Sequence, residues 1–248
     1  MRIWQKTDQG AIRKENQDAY AVRAINGYTL AVVCDGMGGA RAGAVASSVG
    51  SQTFIDTLSQ SLVPELTEEQ LCAAGLTAVE KANAAVYQRS QQEESCRGMG
   101  TTLVAAVCKK NKALFLNVGD SRAYLINESG IRVVTRDHSW VQDMLENGDI
   151  TEDEARKHPN RNLITRALGT EKTVCCDDFS VELAEGDFIL LCSDGLVNTV
   201  GDQEMLYEVI HESNIDTCLD RMMEIAMDRG APDNVTMVLL KYEKEAEA

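Results

Sequence analysis

The chain has 248 residues, 44% of them hydrophobic, and its 39 Asp and Glu against 24 Lys and Arg give a formal net charge of −15. Such a charge opposes attraction to nucleic acid or to an anionic membrane face, so neither is expected as a partner. There are 3 prolines, no Gly/Ser/Pro-rich stretch serves as a linker, and residues 1–248 read as one domain. No basic-then-apolar leader and no apolar run near the roughly 18 residues that span a bilayer is found, so a cytoplasmic protein is expected. The 8 cysteines include no C-x-x-C spacing; Cys34, Cys108 and Cys192 lie in apolar runs and read as core thiols, and vicinal Cys175-Cys176 as two ordinary ones.

In chain order, short β-branched or apolar runs bounded by Gly, Asp or Asn predict strands at Ala19–Ile25 and Tyr28–Cys34. Helical spacing follows at Arg41–Ser59, where Ala42, Gly43, Ala44 and Ala46 permit close packing on a sheet, and at Glu68–Ser90. Strands resume at Thr101–Cys108, Lys112–Val118, Arg122–Asn127 and Ile131–Thr135, with the first two forming an antiparallel hairpin. Residues 139–169 turn polar, with two weak helical stretches, and read as an excursion from the core. A strand at Phe188–Cys192, helices at Gln203–His211 and Ile215–Asp228, and a strand at Val235–Tyr242 complete the chain. Helices grouped in pairs among runs of strands argue for α+β layering: two antiparallel sheets face to face with helices outside.

The strongest chemical signal is an apolar strand running into an aspartate with a glycine beside it. It occurs at Asp35-Gly36, Gly119-Asp120 and Asp194-Gly195, while Asp233 and Asp18 each stand just before a strand. Any one Asp-Gly alone reads as a turn. Together, on neighbouring antiparallel strands, they bring carboxylates to one edge of the sandwich. Convergent carboxylates repel unless a cation shares the site, and oxygen-only ligands select hard ions such as Mg²⁺ or Mn²⁺. A glycine lets the backbone approach such an ion, so a carbonyl can join the ligands. Two metals can activate a water and neutralise charge on a phosphoryl group, and Arg13, ahead of Asp18, has the fork to grip two phosphate oxygens.

The segments Arg13-Lys14-Glu15-Asn16-Gln17-Asp18, Asp35-Gly36-Met37-Gly38-Gly39, Gly100-Thr101-Thr102, Val118-Gly119-Asp120-Ser121-Arg122, Asp137-His138-Ser139, Ser193-Asp194-Gly195 and Asp233-Asn234-Val235-Thr236 resemble, in order, the motifs of PP2C-type (PPM) serine/threonine phosphatases. The resemblance implies a four-layer α-β-β-α sandwich with a binuclear Mn²⁺/Mg²⁺ centre at one end that hydrolyses phosphoserine and phosphothreonine in protein substrates. It makes Asp35 the bridge between the metals, with the Gly36 carbonyl on one ion and Asp194 and Asp233 on the other. Asp18 then acts through a metal-bound water, Arg13 holds the substrate phosphate, and Asp120 with Asp194 matches the place of a third, weaker ion. The polar excursion at about 139–169 falls where such enzymes carry a flap. Met37 departs from the eukaryotic pattern, in which a histidine there is proposed to protonate the leaving alkoxide; a metal-bound water is expected to supply that proton. The short chain and Met37 resemble the bacterial branch, which implies a monomer whose partner is a serine/threonine kinase and its targets.

Other classes fit less well. Gly119-Asp120-Ser121 echoes a lipase motif, but no Asp stands three residues before His138, His158 or His211, so Ser121 is expected to be structural. The stretch from Gly36 has Arg41 where a dinucleotide loop needs its third glycine. A satisfied or surface role is expected for His138. A binding module that has lost its metal ligands is disfavoured because every core aspartate is present.

Overall fold

The structure, a computed structural model, describes residues 1–39, 42–211 and 215–244. The expected helix start at Arg41 and the last four residues of the expected domain lie outside these. The chain opens with β1 (Arg2–Asp8), β2 (Asp18–Ile25) and β3 (Tyr28–Met37), then α1 (Ala42–Ser61) and α2 (Glu68–Gln92). Next come β4 (Gly100–Thr101), β5 (Leu103–Lys109), β6 (Lys112–Val118), β7 (Arg122–Asn127) and β8 (Gly130–Val133). The excursion carries α3 (Trp140–Glu146) and α4 (Glu152–Lys157). The last third holds β9 (Asp177–Glu182), β10 (Phe188–Cys192), α5 (Asp194–Val197), α6 (Asp202–His211), α7 (Cys218–Asp228) and β11 (Val235–Lys241).

One sheet has the order β1-β11-β10-β7-β8, the other β2-β3-β5-β6-β9 with β4 extending the ladder of β3, and every pairing is antiparallel. The two-residue periodicity of strands explains the layers. Leu30, Val32 and Cys34 of β3 pack with Phe54, Leu58 and Val79 of α1 and α2, whereas Ala31 and Val33 face inward onto Leu191 and Val238 of the other sheet. In β10, Leu190 and Cys192 meet Met205 and Met222 of α6 and α7, and Ile189 and Leu191 face inward. The expected α+β, four-layer α-β-β-α arrangement is therefore present. Each fully buried Leu or Ile contributes about 1.5–3 kcal/mol.

Side-chain hydrogen bonds set several element boundaries. The helix α2 starts at a capping box in which Thr67 and Gln70 exchange bonds of 3.0 and 3.2 Å. The strand expected at Thr101–Cys108 is divided: opposite Asp35, the Thr102 hydroxyl accepts the Asp35 N–H at 2.9 Å in place of a backbone carbonyl. The strand expected to reach Thr135 ends at Val133, because the Thr135 hydroxyl accepts the Ala123 N–H at 3.1 Å. Strands β1 and β9 and helix α5 were not expected from the sequence, and the helix expected from Ile215 begins as a 3₁₀ turn at Ile215–Thr217. No helix among the described residues is long and apolar enough to cross a membrane.

Candidate metal centre

The inward-facing rows of the two sheets end in polar groups. In β3 the row Ala31, Val33 continues to Asp35; in β2 the row of Val22 and Tyr20 continues to Asp18, the first residue of the strand, which pairs with Asp35 across the ladder. In the other sheet, Ile189 and Leu191 continue to Ser193, and Leu240 and Val238 to Thr236. The alternation that fills the space between the sheets with hydrocarbon thus closes one end of it with acids and hydroxyls. Ser193 joins the sheets: its hydroxyl donates to Asp18 Oδ2 at 2.7 Å and accepts the Thr236 N–H at 3.0 Å.

The structure brings Asp18, Asp35, Asp120, Asp194 and Asp233 to this end, each half-buried. Of the three Asp and Gly pairs, only Gly119-Asp120 proves to be a turn; Asp35-Gly36 lies inside β3, and Asp194-Gly195 opens α5. Arg13 reaches the same place, donating to Asp233 Oδ2 at 2.6 Å. Asn234 holds the loop that carries Arg13: its side chain donates to the carbonyls of Gln9 and Glu15 at 2.8 and 3.0 Å and accepts the Gln17 N–H at 2.9 Å. At Gly36 any Cβ would collide with the carbonyl oxygens of Gly43 and Gln17, so α1 approaches β3 here backbone to backbone. Met37 rests its methyl group over Gly100.

Withdrawal from water and mutual repulsion set the protonation of the cluster. Asp18 is pushed up to about 6, by burial first, with hydrogen bonds from Ser193 and Thr236 opposing and the charges of Asp194 and Asp233 adding. Asp194 is also pushed up to about 6, by burial and then by Asp233, with hydrogen bonding to Asp35, the charge of Arg13 and hydrogen bonding from Asn198 opposing. Asp35 is raised well above the carboxylate range by burial and then by Asp18, Asp194, Asp120 and Asp233. Asp120 is raised well above it by burial, Asp194 and Asp137.

Two observations fit this end to hard cations. Asp18 Oδ1 and Asp194 Oδ1 are buried with no hydrogen-bond partner, a costly state that a cation would relieve. The donors are all oxygens, the set that takes Mg²⁺ or Mn²⁺. Among the described residues no three Asp, Glu, His or Cys side chains already close into a ligand cage. Ser193 holds Asp18, Asn198 holds Asp194 at 3.1 Å and Arg13 holds Asp233.

Residues 12–239 match the profile of the family described as protein phosphatase 2C. The chain belongs to that family. It is 36% identical over 237 residues to a protein of Listeria welshimeri named serine/threonine phosphatase stp, covering 95% of this chain and 94% of that one. It is 33% identical over 247 residues to the Streptococcus pneumoniae protein phosphatase PhpP, covering 99% of each. The crystal structure of the serine/threonine phosphatase Stp1 from Staphylococcus aureus superposes with a TM-score of 0.91 at 36% identity, covering 97% of this chain and 94% of that one. The Mycobacterium tuberculosis serine/threonine phosphatase PstP/Ppp superposes with a TM-score of 0.87 at 34% identity, covering 98% of each chain.

Within this protein phosphatase 2C fold, several site residues carried no signal of their own in the sequence. Ser193 and Asn234 sit inside phosphatase-like segments, but only the structure gives them partners. Arg122 donates to both oxygens of Asp137 at 2.7 to 3.1 Å, beside a cleft lined by Asp120, Asp194, Asn198 and residues of the excursion such as Gln142 and Arg161. Ser121 is buried, with its hydroxyl 2.7 Å from that of Thr102, in the structural role expected. Cys176 packs against the core, and burial pushes its thiol up to about 12, far from a reactive thiolate.

Proposed function

We propose that this chain is a metal-dependent protein serine/threonine phosphatase that hydrolyses phosphoserine and phosphothreonine in proteins. The observation that carries the reading is the gathering of Asp18, Asp35, Asp120, Asp194 and Asp233 at one end of the sandwich, with orphaned oxygens on two of them. In this reading two Mn²⁺ or Mg²⁺ ions would be held by Asp35, which would be common to both, by the Gly36 carbonyl, and by Asp194 and Asp233. Asp18 stands behind them, and Asp120 with Asp194 takes a weaker third. When bound, a pair of such ions supplies a water of lowered pKa and positive charge opposite the phosphoryl oxygens.

The chain's own residues do the positioning. Ser193 fixes the direction of the Asp18 carboxylate, and Asn198 that of Asp194. Arg13 has five N–H donors, and its contact with Asp233 holds the guanidinium at the mouth of the site, where its remaining donors can grip two phosphate oxygens. Phosphoryl transfer asks little covalent help of the protein. Met37 offers no proton to a leaving alkoxide, so that proton would come from a water held at the metal centre.

In the same reading, residues 1–248 form one catalytic domain, with residues 139–169 as the flap bordering the cleft. The enzyme is a cytoplasmic monomer that reverses a serine/threonine kinase acting on the same targets; the bacterial relatives, named as phosphatases, support the activity in this reading. The test is hydrolysis of a phosphothreonine peptide by the wild type beside Asp194→Ala, with Mn²⁺, with Mg²⁺ and with EDTA. Turnover that needs metal and disappears in the variant supports the reading. Folded protein with no turnover under any metal overturns it in favour of a binding module.

A further inference from the structure

The histidine of the Asp137-His138-Ser139 segment is fully buried, and neither the expected family mechanism nor the acid cluster gives it a task. Its ring is bonded on both sides. Nδ1 accepts the Gly119 N–H at 3.1 Å, so in the neutral ring the proton sits on Nε2. Nε2 lies 3.1 Å from both Asp177 Oδ2 and Arg166 Nη1, and Nη1 donates to the other Asp177 oxygen at 2.8 Å, so the Asp177 carboxylate is the acceptor that ring and guanidinium share. Burial holds the imidazole below its usual range, which favours the neutral form that can accept from Gly119.

The backbone of His138 repeats the pattern. Its N–H donates to the Gly119 carbonyl at 2.9 Å, and its carbonyl accepts the Thr165 N–H at 2.8 Å. Gly119 is thus gripped at both its N–H and its carbonyl by one residue. Asn117 adds a third bond, from Nδ2 to the same carbonyl at 3.2 Å. Gly119 has φ +108°, and a Cβ there would lie 2.6 Å from the Thr102 methyl, so the turn that presents Asp120 has no room to shift on its other side. With both ring nitrogens engaged and no exposure, His138 cannot donate a proton to substrate in place of the histidine absent at Met37.

We propose that His138 is a positioning residue: it clamps the Gly119-Asp120 turn from one side and, through Asp177 and Thr165, fastens that turn to β9 and to the return limb of the excursion at Thr165–Arg166. Asp120 is therefore held in place by the root of the excursion, and the affinity of the cation it helps to bind depends on the Nδ1 side of His138. The inference rests on the reading of Asp120 as a ligand of the weaker ion.

Two substitutions separate the two sides of the ring. In His138→Asn the short amide puts an acceptor near the position of Nδ1 and leaves Asp177 unbridged. In His138→Gln the longer amide reaches toward Asp177 and leaves the Gly119 N–H bare. Calorimetric Mn²⁺ titration of metal-stripped protein, with Asp120→Ala as reference, should show the weakest binding step lost in Asp120→Ala. The step should weaken about tenfold in His138→Gln, in the range of lost outer-shell partners, and stay within about twofold of wild type in His138→Asn. A wild-type weak step in His138→Gln, with that step absent in Asp120→Ala, would overturn the inference while sparing the ligand reading. Equal weakening in both histidine variants would mark general loosening and also overturn it. An unchanged titration in Asp120→Ala would remove the ligand reading and the inference with it. On the wild type alone, the ¹⁵N shifts of the ring at pH 7 should report the Nε2–H tautomer; the Nδ1–H tautomer would contradict the clamp.

Discussion

The two ends of the sandwich are built from the same strands on opposite terms. At one end β2 turns into β3 through Asn26-Gly27, with φ +52° and +78°, the left-handed pair that suits a two-residue hairpin. Nothing there is strained, and the turn does no more than return the chain. At the other end of β2 and β3, Asp18 faces Asp35 across the ladder, and Asp194 at the start of α5, Asp233 just before β11 and Asp120 in the β6–β7 turn join them. That end carries raised carboxylates and orphaned oxygens. Stability is given up at that end, where a cation would relieve the repulsion, and the apolar rows between the ends keep the acids from moving apart.

Substitutions at the two ends should behave as differently as the ends themselves. Asp35→Asn should cut phosphopeptide turnover by more than about a hundredfold, beyond what outer-shell losses cost. It should also raise the Tm of the metal-free protein, by about 2–4 °C for each kcal/mol of repulsion removed. Lost activity with unchanged or lower metal-free stability would break the contrast. Asn234→Ala removes three bonds that hold the Arg13 loop and should cost about 2–3 kcal/mol in denaturant unfolding, with KM for the phosphopeptide raised as Arg13 loses its anchor. A loss under about 1 kcal/mol would show that the loop is held by other contacts.

Stability against pH sharpens the comparison further. Asp18 and Asp194 titrate near 6 in the folded chain, above the usual carboxylate value. The folded state therefore binds more protons than the unfolded one between about pH 4 and 6, and metal-free stability falls as pH rises through that window. A Tm series on metal-free protein should decline from about pH 4.5 to 6.5, and saturating Mn²⁺ should flatten the decline by replacing the protons. A metal-free Tm that rises across this window would contradict the shifts. The smallest effect belongs to the hairpin end. Gly27→Ala meets no neighbour but keeps a positive φ, so it should cost about 1 kcal/mol and leave turnover untouched.

Much of the fold was legible because apolar periodicity marks the interior strands. β3, β5, β6, β10 and β11 are buried nearly throughout, each stands in the sequence as a largely apolar run, and all but β5 contain or closely adjoin one of the acids. The elements that carried no clear signal lie at the edges. β1 (RIWQKTD) and β9 (DDFSVE) are the outer strands of their sheets, with half-exposed, charged residues that blunt the open edge and dilute the alternation. α5 hides in Ser193-Asp194-Gly195, a composition that reads as a turn. The acids of the site were found because a strand points at each of them. Ser193, Asn234 and His138 were not, because their partners lie far along the chain and only the packed sheets bring them together.

The most direct measurement is a calorimetric Mn²⁺ titration of the metal-stripped wild type near pH 6, run in two buffers of different ionisation enthalpy. Acids that hold protons at that pH must give them up to bind a cation. Two tightly bound ions per chain are expected, with roughly one proton or more released. No tight binding, or binding with no proton release, would contradict the claim that this end of the sandwich is built to hold divalent metal.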